Sequence, residues 1–397
     1  MVMTELALKG KTSLKMKIER NSMNSVYYFA VAILYIGFLL FRASTLQYFL
    51  GISATLWFDI IRIVCIILFL VKIVTLKMSI IQLLSICIIG LIFLIAAINS
   101  GDIVLLLSFL LIVASKNVND RKVFEIVLKV HIVIIPILIS LALLGTIENV
   151  MISRAALGIS RLALGFTHPN GLGAQLVLVC MCWVILRWEK LKFIDYLLIS
   201  LIGIFILVIA DSRTSTFVIM LLILLSVILK LLARVGKEKI LYTVMWCICL
   251  LVPILSIYFI TQYDPSNNTH LFLDFMFSRR LQFSNRLYDV YGFSFIGRDT
   301  PLLSGDYGIR RIPLDNMFVF VAIRYGIITL LTILMGFYFT LGKMIKEKYY
   351  PGIICMFLYL LFATVEILPF DINRNITLLL IGCFLYNKNF LSKERIS

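Results

Sequence analysis

Charge is scarce in this 397-residue chain: Asp, Glu, Lys and Arg make up 15% of it, against 61% apolar residues. That excludes a soluble domain, which is roughly half apolar and about a quarter charged. No small-residue cleavage site follows the first apolar run. The basic leader with Lys9, Lys11, Lys15, Lys17 and Arg20 therefore reads as a retained cytoplasmic tail over residues 1–25, not as a signal peptide. The eight cysteines (Cys65, Cys87, Cys180, Cys182, Cys247, Cys249, Cys355, Cys383) all fall inside apolar runs and form no CxxC pair. Neither a disulfide framework nor a zinc site is implied, and they read as small buried hydrophobes. There is no Asp-x-Asp metal motif, internal repeat or low-complexity tract, so no metal or other cofactor is expected.

What is present is a series of apolar runs, each of about 20 residues, the length that crosses a hydrocarbon core of roughly 30 Å as a helix. Mean hydropathy is +1.04. The expected spans are residues 26–42, 56–76, 79–98, 101–115, 123–145, 168–187, 193–210, 214–234, 240–261, 313–341, 349–367 and 373–388. The fold class is all-α, a polytopic membrane bundle of about 12 transmembrane helices with both termini cytoplasmic. Spans 1–9 occupy 26–261, a large extracytoplasmic loop occupies 262–312, spans 10–12 occupy 313–388, and a second tail occupies 389–397. The fourth span is the weakest because it is short. Pro136 and Pro253 sit inside spans, where a kink is the default expectation.

Lysine and arginine clusters alternate along the chain as twelve crossings require. The cytoplasmic side collects 23 cations, 18 of them lysine, against eight acids. The other side collects eleven cations against twelve acids, and all eleven are arginine: Arg42, Arg154, Arg161, Arg213, Arg279, Arg280, Arg286, Arg298, Arg310, Arg311 and Arg374. The high net charge thus follows from topology and is no evidence for a nucleic-acid partner. Arginine presents a planar fork that grips phosphate or carboxylate in a bidentate way, whereas lysine presents a hydrated point charge. An arginine-only outer face therefore reads as built to hold anions at the membrane surface. The competing reading is local pairing with the twelve outer acids or with lipid headgroups.

Three stretches carry candidate chemistry. In the first, Arg161 precedes Gly165-Phe166-Thr167-His168-Pro169-Asn170-Gly171, where Pro169 opens a helix. His168 then lies where free backbone N–H groups and the positive dipole end favour anions and a neutral imidazole. The second is Asp211-Ser212-Arg213-Thr214, a tight turn between two apolar helices, in which Arg213 reads as ligand-facing. The third is the loop itself. An amphipathic helix is expected from Phe272 to Val290, with Phe272, Met276, Phe283, Leu287 and Val290 on one stripe and Arg279 and Arg286 on its border, at headgroup depth. Beyond the loop come Asp315 and Asn316, then Arg324, an ionisable residue within a span and so a functional candidate. Glu366 and Arg374 flank the last outer turn and are placed to pair with each other. His131 and Lys129 read as structural, and His270 as a lone loop residue.

At these residues the chain resembles the Wzy-type polymerases of capsule, exopolysaccharide and O-antigen assembly, which share their architecture with the O-antigen ligases. The resemblance is carried by the span pattern with one large late loop, by Gly165-Phe-Thr-His168-Pro169-Asn170, by Ser212-Arg213-Thr214, and by Leu314-Asp315-Asn316-Met-Phe with Tyr325-Gly326-Ile327. It spans roughly residues 25–390, and Asp315 stands where ligases more often have a histidine. The resemblance implies metal-independent glycosyl transfer at the outer leaflet of a bacterial plasma membrane. A growing glycan would move from undecaprenyl diphosphate to a lipid-linked repeat unit. It further implies His168 and Asp315 as catalytic residues, and Arg161, Asn170, Arg213, Arg280, Arg286, Asn316 and Arg324 as substrate-binding residues. The implied partners are the undecaprenyl-diphosphate-linked oligosaccharide, the lipid bilayer, and a chain-length regulator or flippase of the same pathway. A ligase, a lipid-linked oligosaccharide flippase or other transporter, and a scaffold without chemistry remain open.

Overall fold

The computed structural model describes residues 22–49, 54–154, 159–277, 279–304, 314–367 and 370–386. The basic tail up to Arg20, Arg310, Arg311, Lys388 and the end of the chain lie outside them. Among the described residues the protein is helical almost throughout, with one small antiparallel hairpin. Eight helices are long and apolar enough to cross a membrane: α1 (Ser22–Ala43), α3 (Ile80–Ser100), α5 (Asp120–Leu143), α6 (Pro169–Lys190), α7 (Phe193–Ala210), α8 (Arg213–Arg234), α9 (Glu238–Thr261) and α13 (Ile327–Glu347). Between them lie α2 (Ala54–Val74), where Arg62 pairs with Asp59 inside the helix, and α4 (Val104–Ala114). The hairpin is β1 (Met151–Arg154) with β2 (Ile159–Leu162), and Ile152 faces Arg161 across it. The loop after α9 forms α10 (Asn268–Met276) and α11 (Arg280–Tyr291). Then follow α12 (Met317–Arg324), and after α13 the helices α14 (Tyr350–Phe362) and α15 (Leu378–Tyr386).

Local sequence sets the ends of these helices. Ser79 and Gln82 exchange hydrogen bonds of 3.3 Å as a capping box at the start of α3, and Asn119 caps α5 through the Lys122 N–H. Pro136 and Pro253 lie within α5 and α9, which continue through them. The buried apolar core joins α1, α5, α6, α8, α13, α14 and α15, and α14 is buried along nearly its whole length. Large apolar side chains on α3, α7 and α9 point outward, as lipid-facing positions do.

Two expected elements differ from what is observed. The span expected over 313–341 is broken at Tyr325-Gly326 into α12 and α13. Gly326 has φ +98°, and a Cβ there would come within 2.6 Å of the Phe295 carbonyl oxygen. The loop returns at this point and hydrogen-bonds into the break, Ile327 N–H donating to Ser294 O at 2.9 Å. Continuous helix would leave no room for that strand of loop.

The single amphipathic helix expected over 272–290 is two helices, α10 and α11, separated at Arg279, which has φ +63°. The inner face of α11 consists of Leu281, Ser284 and Leu287, while Val290, expected on that stripe, is 62% exposed. The earlier stripe assumed a helical register running unbroken through residue 279, and the left-handed residue resets it.

Candidate functional site

The end of the bundle where α6 and α8 begin and α7 and α9 finish gathers most of the charged residues singled out in the sequence. Four segments meet there. The first is the β2–α6 connection. Thr45 N–H donates to Gly165 O at 2.8 Å and Thr167 N–H to Ala43 O at 2.9 Å, so the Gly165-Phe166-Thr167 run is zipped onto the end of α1. His168 follows as the cap of α6, its Nδ1 accepting the Asn170 N–H at 3.1 Å, with Pro169 in the first turn.

The second segment is the α7–α8 turn. Here Asp211 is left-handed, and Arg213 reaches it at 3.1 Å while its side chain stays 59% exposed. Ser212 and Ser215 lie against Gly173 of α6, where a Cβ would stand 2.6 Å from the Ser215 hydroxyl oxygen. That glycine therefore serves close helix packing, and the adjoining Gly171 is the one that faces open space.

The third segment is α11, and the fourth is the joined pair of turns before α12 and after α14. Asn316 caps α12 by accepting the Val319 N–H at 3.1 Å, and its amide donates to Thr364 O at 3.1 Å. Both ends of this amide are in use, so Asn316 fastens the Asp315 turn to the turn carrying Glu366.

A continuous polar network crosses these segments. Arg161 is buried and donates from Nε to Ala210 O at 2.9 Å and from Nη2 to Asn170 Oδ1. Asn170 donates from Nδ2 to Glu366 Oε1 at 3.0 Å. The same oxygen accepts from Arg280 Nη2 at 3.2 Å. Arg280 also donates to Val365 O and pairs through Nε with Asp315 at 3.3 Å. Arg161, Asn170, Arg280 and Asp315, separated widely in sequence, thus form one constellation, and Glu366 is its junction.

Glu366 was expected to pair with Arg374. That arginine pairs with Asp371 at 3.6 Å and lies over the Phe38 ring, and its charge also acts on Glu366. Glu366 is 6% exposed, and burial pushes its carboxyl up to about 7. Arg280 and Arg374 oppose that rise, while the neighbouring Asp315 carboxylate reinforces it. A carboxyl poised near neutrality is suited to take or give a proton at ordinary pH. The sequence signal for it was an acid lodged between two apolar runs, which was read as half of a local ion pair.

His168 is exposed beside this network. While Nδ1 accepts a backbone N–H, the neutral ring carries its hydrogen on Nε2, which is then a donor.

Three expected binding residues stand outside the constellation: Arg213, which pairs with Asp211, and Arg286 and Arg324. Arg286 follows Arg280 by six positions on α11, about 240° around the helix, and is exposed. Arg324 is buried at the end of α12. It donates to Ser100 O at 3.1 Å and Thr300 Oγ1 at 3.3 Å, with Asp102 3.9 Å away. These partners join α3 to the loop, and none is shared with the Arg280 network. Arg298 is likewise consumed by backbone carbonyls, those of Tyr291 and Phe293.

The constellation is close to internally neutral, because Arg280 already holds carboxylates, and the bordering Arg213 holds Asp211. It can accept an anion by exchanging those carboxylates for it. The exchange would release a negative charge beside the incoming group and leave that carboxylate ready for a proton. Comparison of the chain with protein-family models, with curated proteins and with solved structures finds no match.

Proposed function

We propose that the protein is a polysaccharide polymerase of a bacterial cell membrane, a glycosyltransferase that moves a growing glycan from undecaprenyl diphosphate to a lipid-linked repeat unit at the outer leaflet. The observation that carries this reading is Arg280 held between Asp315 and Glu366 and linked through Asn170 to Arg161. It sets exchangeable guanidinium groups next to two carboxylates at one end of an apolar bundle, where a lipid-borne diphosphate would lie.

In this proposal the eight long helices and α2 cross the membrane, and the short apolar helices α4, α14 and α15 complete the twelve passes together with the residues that flank them. The charge bias of the connecting segments supports an extracytoplasmic position for the constellation. The donor diphosphate draws Arg280 and Arg213 from their carboxylates, and Arg161 supports it. The bond between anomeric carbon and phosphate oxygen breaks as the acceptor oxygen bonds to that carbon. The acceptor proton passes to Glu366 or Asp315, and undecaprenyl diphosphate leaves. The guanidinium groups stabilise the charge that builds on the leaving oxygen, and His168 orients the acceptor. Asn316 holds the Asp315 turn.

The test is the lipid-linked sugar pool of a strain lacking the protein. The expected result is single repeat units on lipid at the outer leaflet. Repeat units trapped inside would identify a flippase, and long chains retained on lipid would identify a ligase.

A further inference from the structure

Helix α10 is a nine-residue element outside the long helices, with two opposite faces. Its inner face carries Asp274, which is 5% exposed and caps the next helix by accepting the Gln282 N–H at 3.0 Å. Leu273 on the same side packs into a small core under the loop. The outer face carries Leu271, Phe272, Phe275 and Met276 at 45%, 62%, 80% and 63% exposure. Positions i, i+1, i+4 and i+5 form one contiguous stripe on a helix. An apolar stripe this exposed on a loop rich in polar residues needs a partner.

The position of α10 identifies that partner. His270 at its start stacks on Tyr263 and meets the Phe259 ring edge-on, each at 6.1 Å between centroids. Its Nδ1 accepts the Asp264 N–H at 3.0 Å, and Asn267 caps the helix by accepting the Thr269 N–H at 2.9 Å. Phe259 belongs to the last turn of α9, so α10 is pinned within about one helical turn, roughly 5 Å, of where that long helix ends. The outward residues of α9 just below it, Ile254, Leu255 and Tyr258, are themselves exposed and apolar.

The stripe on α10 therefore continues the lipid-facing surface of α9 past its end. A nine-residue helix is about 13.5 Å long, and four side chains on one face fall well short of the roughly 800 Å² per partner of a stable protein interface. Exposed Arg279 stands directly after α10, at the level where anionic headgroups would lie.

We infer that α10 is an interfacial helix that lies in the plane of the bilayer surface, with Leu271, Phe272, Phe275 and Met276 sunk among the upper acyl carbons and Arg279 among the phosphates. It anchors the near end of the large loop, so that α11 reaches the network from a fixed height.

The experiment uses the full chain in nanodiscs of phosphatidylethanolamine with a minority of phosphatidylglycerol. Exposed Cys87 and Cys247 are replaced by serine, and a nitroxide is attached to Phe275→Cys, Met276→Cys or, as a control, Asn268→Cys. The expected result is that dissolved oxygen outcompetes a water-soluble nickel chelate in relaxing the label at Phe275 and Met276, with the reverse at Asn268. Nickel dominance at all three would place the helix in water and overturn the inference. Labels immobilised and shielded from both reagents would show a protein covering the face, and would overturn it equally. Should either variant fail to give monodisperse protein, Phe272→Cys reads the same stripe. The outcome is independent of whether the protein makes polysaccharide.

Discussion

Arg280 and Glu366, 86 positions apart in the chain, meet at 3.2 Å on an oxygen that Asn170 also bonds at 3.0 Å. Replacing Glu366 with glutamine keeps the volume and removes the charge. If Glu366 takes the acceptor proton, polymer formation from lipid-linked repeat units falls by about a hundredfold or more, in the range that general bases contribute. The loss would be read as the polymer ladder on a gel. An undiminished ladder would move the role to Asp315.

Linkage makes a second prediction about the same carboxyl. Its value is raised from 4.5 to about 7, with burial as the main cause, Arg280 and Arg374 opposing and Asp315 adding to it. A group raised on folding contributes stability below its unfolded value and loses that contribution as pH climbs through its folded value. The melting temperature in detergent should therefore decline as pH rises from about 4.5 to past 7. In Glu366→Gln that decline should flatten. Activity should move the opposite way in the wild type, rising with pH as the base is freed.

Arg280→Lys tests whether a fork is needed. The guanidinium spans Val365 O, Glu366 and Asp315 at once, which an ammonium on a flexible stem cannot reproduce. Binding of a lipid diphosphate should weaken, and restoring the charge alone should not rescue it. Arg280→Ala additionally leaves the buried Glu366 uncompensated, at a stability cost of about 3 kcal/mol. Denaturation in detergent would separate the two variants.

Most of the constellation was legible because its members are polar residues at the ends of apolar runs, where each costs insertion free energy unless it is used. Arg161, Asn170 and Asp315 stand at such ends, whereas Arg280 drew notice only as one of the arginines of the large loop. Glu366 was visible too, but its partner was assigned by proximity in sequence, and pairing across 86 positions follows from how α11 docks, which no local pattern encodes. Arg286 lies six positions from Arg280 on the same helix, about 240° around it, so the two do not share a face. Arg324 met the rule that intramembrane charges are functional, yet its hydrogen bonds are those of a clamp between α3 and the loop. Burial and charge are readable from composition, whereas the choice of partner is a tertiary fact.

Two glycines separate architecture from access. Gly326→Ala places a methyl within 2.6 Å of Phe295 O at φ +98°, so it should destabilise by about 2 kcal/mol or more and release the loop from the α12–α13 break. Gly171→Ala meets no atom within 4 Å and lies in helix, so it should leave stability unchanged or raise it by up to about 1 kcal/mol. If substrate enters the opening beside His168, Gly171→Ala should lower polymer formation while the melting temperature holds. Loss of both together would mark it as packing.

Arg213 and Arg286 are both exposed arginines near the same end of the bundle, and they should behave differently. Arg213 follows the turn whose Ala210 carbonyl holds Arg161, so its 59% exposed side chain borders the network, while Arg286 lies on another face of α11 from Arg280. Arg213 is 59% exposed but Asp211 only 9%, so Arg213→Ala takes an arginine from a buried carboxylate and should lower the melting temperature. Arg213→Lys keeps the charge beside Asp211 and serves as the variant of matched stability. A preorganised donor to a developing charge is worth about a hundredfold in rate, which is the loss of polymer formation expected for Arg213→Ala. Arg286→Ala should retain wild-type polymer length and yield. Equal losses at both positions would mean that the outer arginines act through general surface potential. In that case raising the salt concentration should reproduce the defect in the wild type, because screening acts on diffuse fields far more than on a contact pair.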